Sequence, residues 1–340
     1  MNDHILNPDT QVTLLLCGRF GQLTDIGSVP LANSEYNKLV LWMKSKDLRP
    51  SDLLKPENNK KLGTFYQKKI SVERIRGLLN RSMAMAFAVE EWANRGIWVI
   101  SRSDTDYPAR LKSNLKGAAP SILYGVGNRD LLNMGGLAIL GSRNVDEDGL
   151  NFTRQAARVC ACNDLPVVSG GARGVDREAM FAALDEGGNV VGVLPDGLAK
   201  AAVSKKYRKA LKSGNLALFS ATNPEAGFSV GNAMGRNTYI YAMSDYCLVI
   251  SSASGKGGTW SGAVHNLKKN YIPLFVRHDD SVPRGNLDLI EMGGIPLTRD
   301  AFIPESKFRD WLEEQKNLFI KSKSGNEKKS EQLTLFDMGD

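Results

Sequence analysis

The sequence predicts an α/β protein, a doubly wound parallel sheet that follows a helical domain and precedes a flexible tail. Between about residues 113 and 305, short apolar runs alternate with helical patterns, and this alternation is typical of a parallel sheet covered on both faces. The 340 residues, 42% of them hydrophobic, are enough for two or three domains. We assign 1–112 to the helical N-terminal domain, 113–305 to the sheet domain, 306–320 to a helical extension and 321–340 to the tail.

The N-terminal region is predicted to be helical because its apolar residues recur at helical spacing. The pattern covers Tyr36–Lys44, Gly63–Lys69 and Val72–Gly96. A basic stretch within the last of these, Arg74–Arg81, is interpreted as the solvated face of a packed helix.

The sheet domain is predicted from six continuous apolar runs, each short enough to be a buried strand. These strands are Leu137–Leu140, Pro166–Ser169, Val190–Leu194, Leu216–Phe219, Cys247–Ser251 and Ile272–Val276. The helices predicted between them are Leu150–Cys162, Val175–Glu186, Lys205–Lys212, Asn237–Met243 and Trp260–Lys268.

Small residues gather where four of these strands end, which is where a doubly wound sheet binds its ligands. Glycine lets backbone N–H groups approach an anion, and each following helix directs its positive N-terminus to the same place. Turns and caps explain any single junction equally well, but four junctions on one edge favour a phosphate cradle. The candidate residues are Gly141, Ser142, Arg143, Ser169, Gly170, Gly171, Arg173, Lys256, Gly257, Gly258 and Thr259.

Basic and aromatic residues are interleaved after the third and fourth strands, as in Lys205-Lys206-Tyr207 and Arg236-Asn237. Such patterns suit single-stranded nucleic acid, because charges follow the backbone while rings stack on bases. The net charge of +7 agrees with a polyanionic partner. The alternative is a solvated helix face for the lysines and core positions for the aromatics. Lys205, Lys206, Arg236 and Asn237 complete the candidate set.

The sequence predicts no metal site and no cofactor. Its three histidines are scattered, and no cysteine pair has redox or zinc spacing among Cys17, Cys160, Cys162 and Cys247. The N-terminus MNDHILNPDT has no signal-peptide pattern, and no apolar run is long enough to span a bilayer. We therefore expect a cytoplasmic protein without a membrane partner.

At these residues the sequence resembles the DprA/Smf family. The motifs Gly141-Ser142-Arg143, Ser169–Asp176 and Arg236-Asn237 occur in the family's order, within a similarity over roughly residues 100–280. The resemblance implies a Rossmann-like core that binds single-stranded DNA without catalysis. It also implies a homodimer formed through that core, and DNA handed to the RecA recombinase.

Departures from the family pattern indicate a divergent branch. Thr238 stands where the family has a second arginine, and Gly258–Ala263 and Ser220–Pro224 differ from the usual segments. Divergent relatives act as antitoxins in phage-defence gene pairs, so one alternative is a regulatory subunit that binds a cognate toxin. A second alternative is a nucleotide-binding phosphoribohydrolase, which is disfavoured because no carboxylate follows Thr259 to stabilise an oxocarbenium-like transition state.

The tail ends in an apolar cluster that resembles the peptide by which bacterial DNA-handling proteins hold the sliding clamp. Leu335 and Phe336 would enter an apolar pocket, and the amide of Gln332 would form hydrogen bonds at the far end. We expect the polar segment before this peptide to hold it away from the folded domains, where a partner can bind it. The alternative is that these apolar side chains fold back onto the protein's own core. The peptide residues are Gln332, Leu333, Leu335 and Phe336.

Overall fold

The computed structural model describes residues 6–20 and 29–321. The chain divides into two compact units, each made of two stretches of sequence. Unit 1 comprises Met1–Met134 and Val191–Met243, and unit 2 comprises Gly135–Val190 and Ser244–Asp340.

The elements are numbered in chain order. The helices are α1 (Pro8–Cys17), α2 (Asn33–Ser45), α3 (Asn59–Leu62), α4 (Val72–Leu79), α5 (Ser82–Asn94), α6 (Ala109–Leu115), α7 (Glu147–Cys162), α8 (Val175–Asp185), α9 (Ala199–Ala202), α10 (Lys205–Ser213), α11 (Val230–Met243), α12 (Gly257–Lys269) and α13 (Arg284–Glu291). The strands are β1 (Trp98–Ser101), β2 (Ile122–Gly127), β3 (Leu137–Gly141), β4 (Val167–Ser169), β5 (Val190–Val193), β6 (Leu216–Ser220), β7 (Tyr246–Ser251), β8 (Leu274–Arg277) and β9 (Ile295–Leu297).

Unit 2 contains a parallel sheet in the order β4-β3-β7-β8-β9. The chain moves from β3 through α7 to β4 in one direction and from β7 through α12 to β8 in the other. Because such crossovers are right-handed, α7 and α12 lie on opposite faces. The predicted doubly wound sheet is therefore confirmed, and β3, β4, β7 and β8 are buried on both faces, as their continuous apolar runs indicated.

Unit 1 contains strands that the sequence analysis did not predict. β2 pairs antiparallel with both β1 and β6. β6 therefore has an antiparallel neighbour that was not predicted on one side, and it lies beside the predicted strand β5 on the other. Gly125 lies opposite Trp98 in this ladder, and a Cβ at Gly125 would come within 2.0 Å of the Trp98 ring. The indole therefore occupies the space that a side chain at position 125 would need. β9, in unit 2, was also missed.

The helical part of unit 1 packs around a core to which α1, α2 and α4 contribute Leu16, Leu39 and Leu78. The helical pattern predicted over Val72–Gly96 corresponds to two helices, because α4 ends at Leu79 and α5 begins at Ser82. The predicted helix at 63–69 is instead a turn followed by an isolated antiparallel bridge.

The C-terminal part of unit 2 continues into residues 308–321, which are helical, with Phe308 and Leu312 buried. No helix within residues 6–20 and 29–321 is long and apolar enough to cross a bilayer. The predicted clamp-like peptide, residues 332–336, lies outside the described residues.

Candidate nucleic-acid interface

The loops that follow β3, β4 and β7 meet at one edge of the unit 2 sheet, because these parallel strands are neighbours. The register places Gly141 beside Ser251, and the Ser142 amide donates to the Ser251 carbonyl at 2.9 Å. We call residues 141–146, 169–174 and 251–259 the unit 2 edge. It brings together eleven of the predicted site residues: Gly141, Ser142, Arg143, Ser169, Gly170, Gly171, Arg173, Lys256, Gly257, Gly258 and Thr259.

Two glycines of the unit 2 edge are required by close packing between its loops. A Cβ at Gly141 would lie 2.5 Å from the Val175 Cγ2 atom. Gly174 has φ +87°, and a Cβ there would lie 2.4 Å from the Ser142 carbonyl oxygen. The loops after β3 and β4 therefore approach each other at distances that exclude side chains.

The hydroxyls of Ser142 and Ser169, two residues of the predicted phosphate cradle, are engaged inside the edge. Ser169 is fully buried, and its hydroxyl donates to the Ile139 carbonyl at 2.7 Å. The Ser142 hydroxyl donates to the Asn144 carbonyl and accepts from the Asn144 amide, both at 3.1 Å. These hydroxyls hold the loops in shape. Burial removes Ser169 from the expected direct contact, whereas a contact by the partly exposed Ser142 stays a prediction.

The cationic side chains of the edge are exposed to solvent. Arg143, Arg173 and Lys256 all project from the loops, and the Arg173 guanidinium donates to the side-chain oxygen of Asn144. This contact connects the loop after β4 to the loop after β3. Three exposed cations on neighbouring loops form a positive surface suited to phosphate.

The helix N-termini at the edge differ in charge. α7 is capped by Asp146 and has Glu147 and Asp148 in its first turn, and α8 has two acidic residues in its own. α12 begins at Gly257 without an acidic residue in its first turn. Acidic side chains stabilise a helix N-terminus and repel a phosphate there. The N-terminus of α12 is therefore the one best suited to an anion among these three.

A buried asparagine that the sequence analysis missed supports the loop before α12. Asn286 is fully buried, and its side chain accepts from the Ser252 amide at 2.9 Å and donates to the Ile250 and Arg277 carbonyls, both at 3.0 Å. At the neighbouring Gly285, a Cβ would lie 2.3 Å from the Ser252 carbonyl oxygen. The only sequence signal is a Gly-Asn pair at a helix start, which is too common to indicate this role.

A buried arginine with two partly exposed carboxylate partners supports the start of α7. Arg277 is fully buried at the end of β8 and contacts Asp279 at 2.6 Å, and its Nη1 atom lies 3.7 Å from the Asp146 carboxylate. Burial alone would raise the pKa of Asp279, but hydrogen bonds from Arg277 and Ser281 outweigh it and hold this pKa below its ordinary value. The Asp279 carboxylate therefore stays charged near neutral pH.

The remaining predicted site residues belong to unit 1. Lys205 and Lys206 are exposed at the start of α10, and the Lys206 Nζ atom lies 4.6 Å from the Tyr207 ring centroid. Arg236 is only 6% exposed, and Asn237 is half-buried. The exposed guanidinium contact expected at Arg236 is therefore not seen, because its side chain belongs to the interior of the unit.

A cavity of about 400 Å³ lies in unit 1 at the carboxyl end of β6. The Asn223 side chain donates to the Arg19 carbonyl at 2.7 Å and closes part of its wall. Hydroxyl and amide groups dominate the polar lining, contributed by Ser121, Thr222, Asn223, Asn232 and Tyr239. The sequence analysis missed this cavity because its walls come from segments that are distant along the chain.

The described residues contain no group of three or more His, Cys, Asp or Glu side chains arranged to hold a metal ion. Cys160 and Cys247 are buried thiols. Burial raises the pKa of the Cys160 thiol above its ordinary range, so it remains protonated at neutral pH. Cys160 and Cys247 thus have a packing role.

Residues 98–303 match the sequence model of the family described as DNA recombination-mediator protein A. The chain is a member of this family. The resemblance to DprA/Smf proteins seen in the motifs is thereby confirmed, and the matched range contains both the unit 2 edge and α10–α11.

Two relatives of the DNA recombination-mediator protein A family align with parts of the chain. DNA processing protein DprA of Streptococcus pneumoniae is 38% identical over 80 residues, 24% of this chain and 28% of that protein. Protein Smf of Synechocystis is 29% identical over 131 residues, 37% of this chain and 32% of that protein. The aligned segments thus span about a third or less of these relatives.

Two solved structures of DNA processing protein A share the fold. The Streptococcus pneumoniae protein superposes with a TM-score of 0.57 at 22% identity, covering 82% of this chain and 99% of that chain. The Helicobacter pylori protein superposes with a TM-score of 0.53 at 25% identity, covering 65% of this chain and 97% of that chain. The latter structure is described as showing a single-stranded DNA binding mode.

Proposed function

We propose that this chain binds single-stranded DNA, without catalysis, and presents it to recombination or replication partners. The observation that carries the proposal is the unit 2 edge, where the acid-free N-terminus of α12 and Lys256 occur on the same strand-end surface as the exposed Arg143 and Arg173. The single-stranded DNA binding mode described for the Helicobacter pylori relative supports this choice of ligand.

The chemistry of the edge suits the backbone of DNA better than its bases. Backbone N–H groups at a helix N-terminus and guanidinium groups both bind phosphate oxygens. Phosphate contacts position a nucleic acid without reading its sequence. We therefore expect weak sequence preference. We also expect an affinity that falls steeply with salt, because the protein's basic side chains release counterions from the DNA phosphates.

The proposal is tested by measuring fluorescence polarisation of labelled single strands and duplexes with the full chain over a range of salt concentrations. We expect tighter binding of single strands, and an affinity at least tenfold lower for the Arg143→Gln/Lys256→Gln variant. Lys268→Gln/Lys269→Gln is the matched control, because these exposed lysines end α12 about 20 Å from its start. Equal losses of affinity in the two variants would attribute the effect to net charge and would contradict the proposed location of the binding site.

The absence of catalysis is the second part of the proposal. Trp260-Ser261-Gly262 follows Thr259, so the chain has no carboxylate at the position where a phosphoribohydrolase would need one. Incubation with labelled nucleotides and DNA, with and without divalent metal, should return the substrates intact. Product in excess of the protein concentration that is lost in the Arg143→Gln/Lys256→Gln variant would contradict this part.

The partners of such a protein are proposed from the resemblance. A homodimer and delivery of DNA to RecA follow from the family pattern, and a cognate toxin is the alternative partner for a divergent member. Light scattering of the purified chain tests the dimer, and co-purification with the product of the neighbouring gene tests the toxin.

The peptide Gln332–Phe336 carries the proposed contact with the sliding clamp. Ordering a short peptide on binding costs conformational entropy, so we expect an affinity on the order of micromolar. A labelled peptide of residues 328–340 should bind purified clamp, whereas the Leu335→Ala/Phe336→Ala peptide should not. Absence of saturable binding by the unmodified peptide would reject this contact and leave the DNA proposal untouched.

A further inference from the structure

Residues 59–70 form a basic loop in the helical part of unit 1 that we call the Tyr66 hairpin. It begins with α3, and its far end is closed by an antiparallel bridge between Gln67 and Ile70. The Ile70 amide donates to the Gln67 carbonyl at 3.1 Å. This bond places Lys68 and Lys69 at the two central positions of a tight turn.

The hairpin is held in place by its apolar residues. Leu62, Phe65 and Ile70 are 1%, 5% and 4% exposed and belong to the helical core of unit 1. The Phe65 ring packs edge-on against Trp42, with ring centroids 5.4 Å apart. Three buried anchors within a short segment give the remaining side chains a defined outward direction.

The outward side chains are aromatic and basic. Tyr66 is 86% exposed, more than any other large hydrophobic residue in the described part of the chain. The exposed lysines of the segment are Lys60, Lys61, Lys68 and Lys69.

The positive charge of the hairpin is not neutralised within the described chain. The segment from Asn59 to Ile70 contains no acidic residue, and none of its four lysines forms an ion pair with a described residue. Lys55, just before it, is paired with Asp52 at 2.7 Å. The hairpin therefore combines lysines that have no ion-pair partner among the described residues with an aromatic ring that has no packing role.

We propose that the Tyr66 hairpin is a second contact for single-stranded DNA, in which Tyr66 stacks on a base and the lysines follow the phosphates. An exposed ring next to several cations is the arrangement that binds single strands without sequence preference. A duplex keeps its bases stacked inside, so the ring selects the single strand. The inference rests on the proposed function for the identity of the ligand, whereas the location of the contact is independent of the unit 2 edge.

The first test substitutes the ring in the full-length chain. Tyr66→Ser should weaken binding of an oligothymidine by about tenfold, while melting temperature and duplex binding stay unchanged. Phe87→Ser is the matched control, because Phe87 is also exposed in unit 1 but lies on α5, whose sequence contains no lysine or arginine. A photoactivatable halogenated uracil in the oligonucleotide should crosslink to Tyr66 in the unmodified chain.

The second test removes charge. Lys68→Gln/Lys69→Gln should make the negative slope of log affinity against log salt shallower by about 1.4, the value for two lost phosphate contacts with a single strand. Lys44→Gln/Lys46→Gln removes the same charge from exposed positions outside the hairpin and should leave the slope unchanged.

The outcomes separate this inference from the proposed function. Wild-type affinity and slope in the hairpin variants, together with loss in Arg143→Gln/Lys256→Gln, would overturn the hairpin contact alone. No binding of single strands by the unmodified chain would overturn both. If the hairpin variants lost binding only to phosphatidylserine vesicles, the patch would belong to a lipid surface and the inference would be wrong.

Discussion

The helices α7 and α12 both begin at the unit 2 edge, yet their N-termini differ in charge. At α7, the Asp146 carboxylate accepts a hydrogen bond from the Gly149 amide at 2.7 Å, and two further acidic residues occupy the first turn. At α12, Lys256 precedes a first turn made of Gly257, Gly258 and Thr259. Topology alone therefore does not make a phosphate site, because the side chains of the first turn decide whether the helix dipole is already complemented.

The largest expected effect concerns the support beneath α12. Asn286→Ala removes three hydrogen bonds from a fully buried side chain and leaves the Ser252 amide without its acceptor. We expect the free energy of unfolding to fall by about 3 kcal/mol, measured by urea denaturation. Asn144→Ala, in the exposed loop before α7, is the control and should cost under about 1 kcal/mol. Equal costs would show that the two loops do not differ in support.

The second prediction concerns a substitution that gives α12 an acidic first turn like that of α7. Thr259→Glu places an acid in the first turn of α12, where it should repel phosphate and lower single-stranded DNA affinity about tenfold, or about 1.4 kcal/mol. Stability should stay equal or rise slightly, because the acid complements the dipole. The isosteric Thr259→Gln variant controls for size. Equal affinities of the two variants in fluorescence polarisation would mean that this N-terminus does not face the DNA.

The third prediction separates a supporting residue from a contact residue at the same edge. Ser169→Ala deletes the hydroxyl that bonds the Ile139 carbonyl, which should cost about 1 kcal/mol of stability in thermal or urea unfolding. DNA affinity at a temperature where the protein is folded should not change, since the hydroxyl is buried. The exposed Ser261→Ala is the control for stability. A clear loss of affinity in Ser169→Ala would restore Ser169 as a DNA contact.

The smallest expected effect is the reverse exchange at α7. Glu147→Gln/Asp148→Asn removes the two acids of its first turn, so single-stranded DNA affinity should rise about threefold, or about 0.6 kcal/mol, at low salt. Asp185→Asn/Glu186→Gln, at the far end of α8, removes the same charge away from the edge. A similar gain in this control would attribute the effect to net charge.

Sequence patterns predicted the unit 2 sheet well because its strands are continuously apolar and its helices amphipathic, properties that depend on burial on both faces of a sheet. The same reasoning failed at 63–69, where apolar spacing indicated a helix. Phe65 and Ile70 are buried there as anchors of a turn, so their spacing reflects a core position and not a helical face. β1 and β2 were missed because the antiparallel pairing of β1 with β2 and of β2 with β6 follows from chain topology and not from local composition.

The family, the parallel sheet and the small-residue loops after β3, β4 and β7 were predictable without coordinates, because glycine content, apolar runs and motif order are local properties of the chain. Which of the candidate site residues are buried and which are exposed depended on tertiary packing. Packing buried the Ser169 hydroxyl, which links two neighbouring strands, and placed Arg236 in the interior. Lys256 and Tyr66 stayed exposed. These outcomes depend on which distant segments cover a side chain, and solvent exposure of that kind is set by packing between elements and not by the residues beside it in sequence.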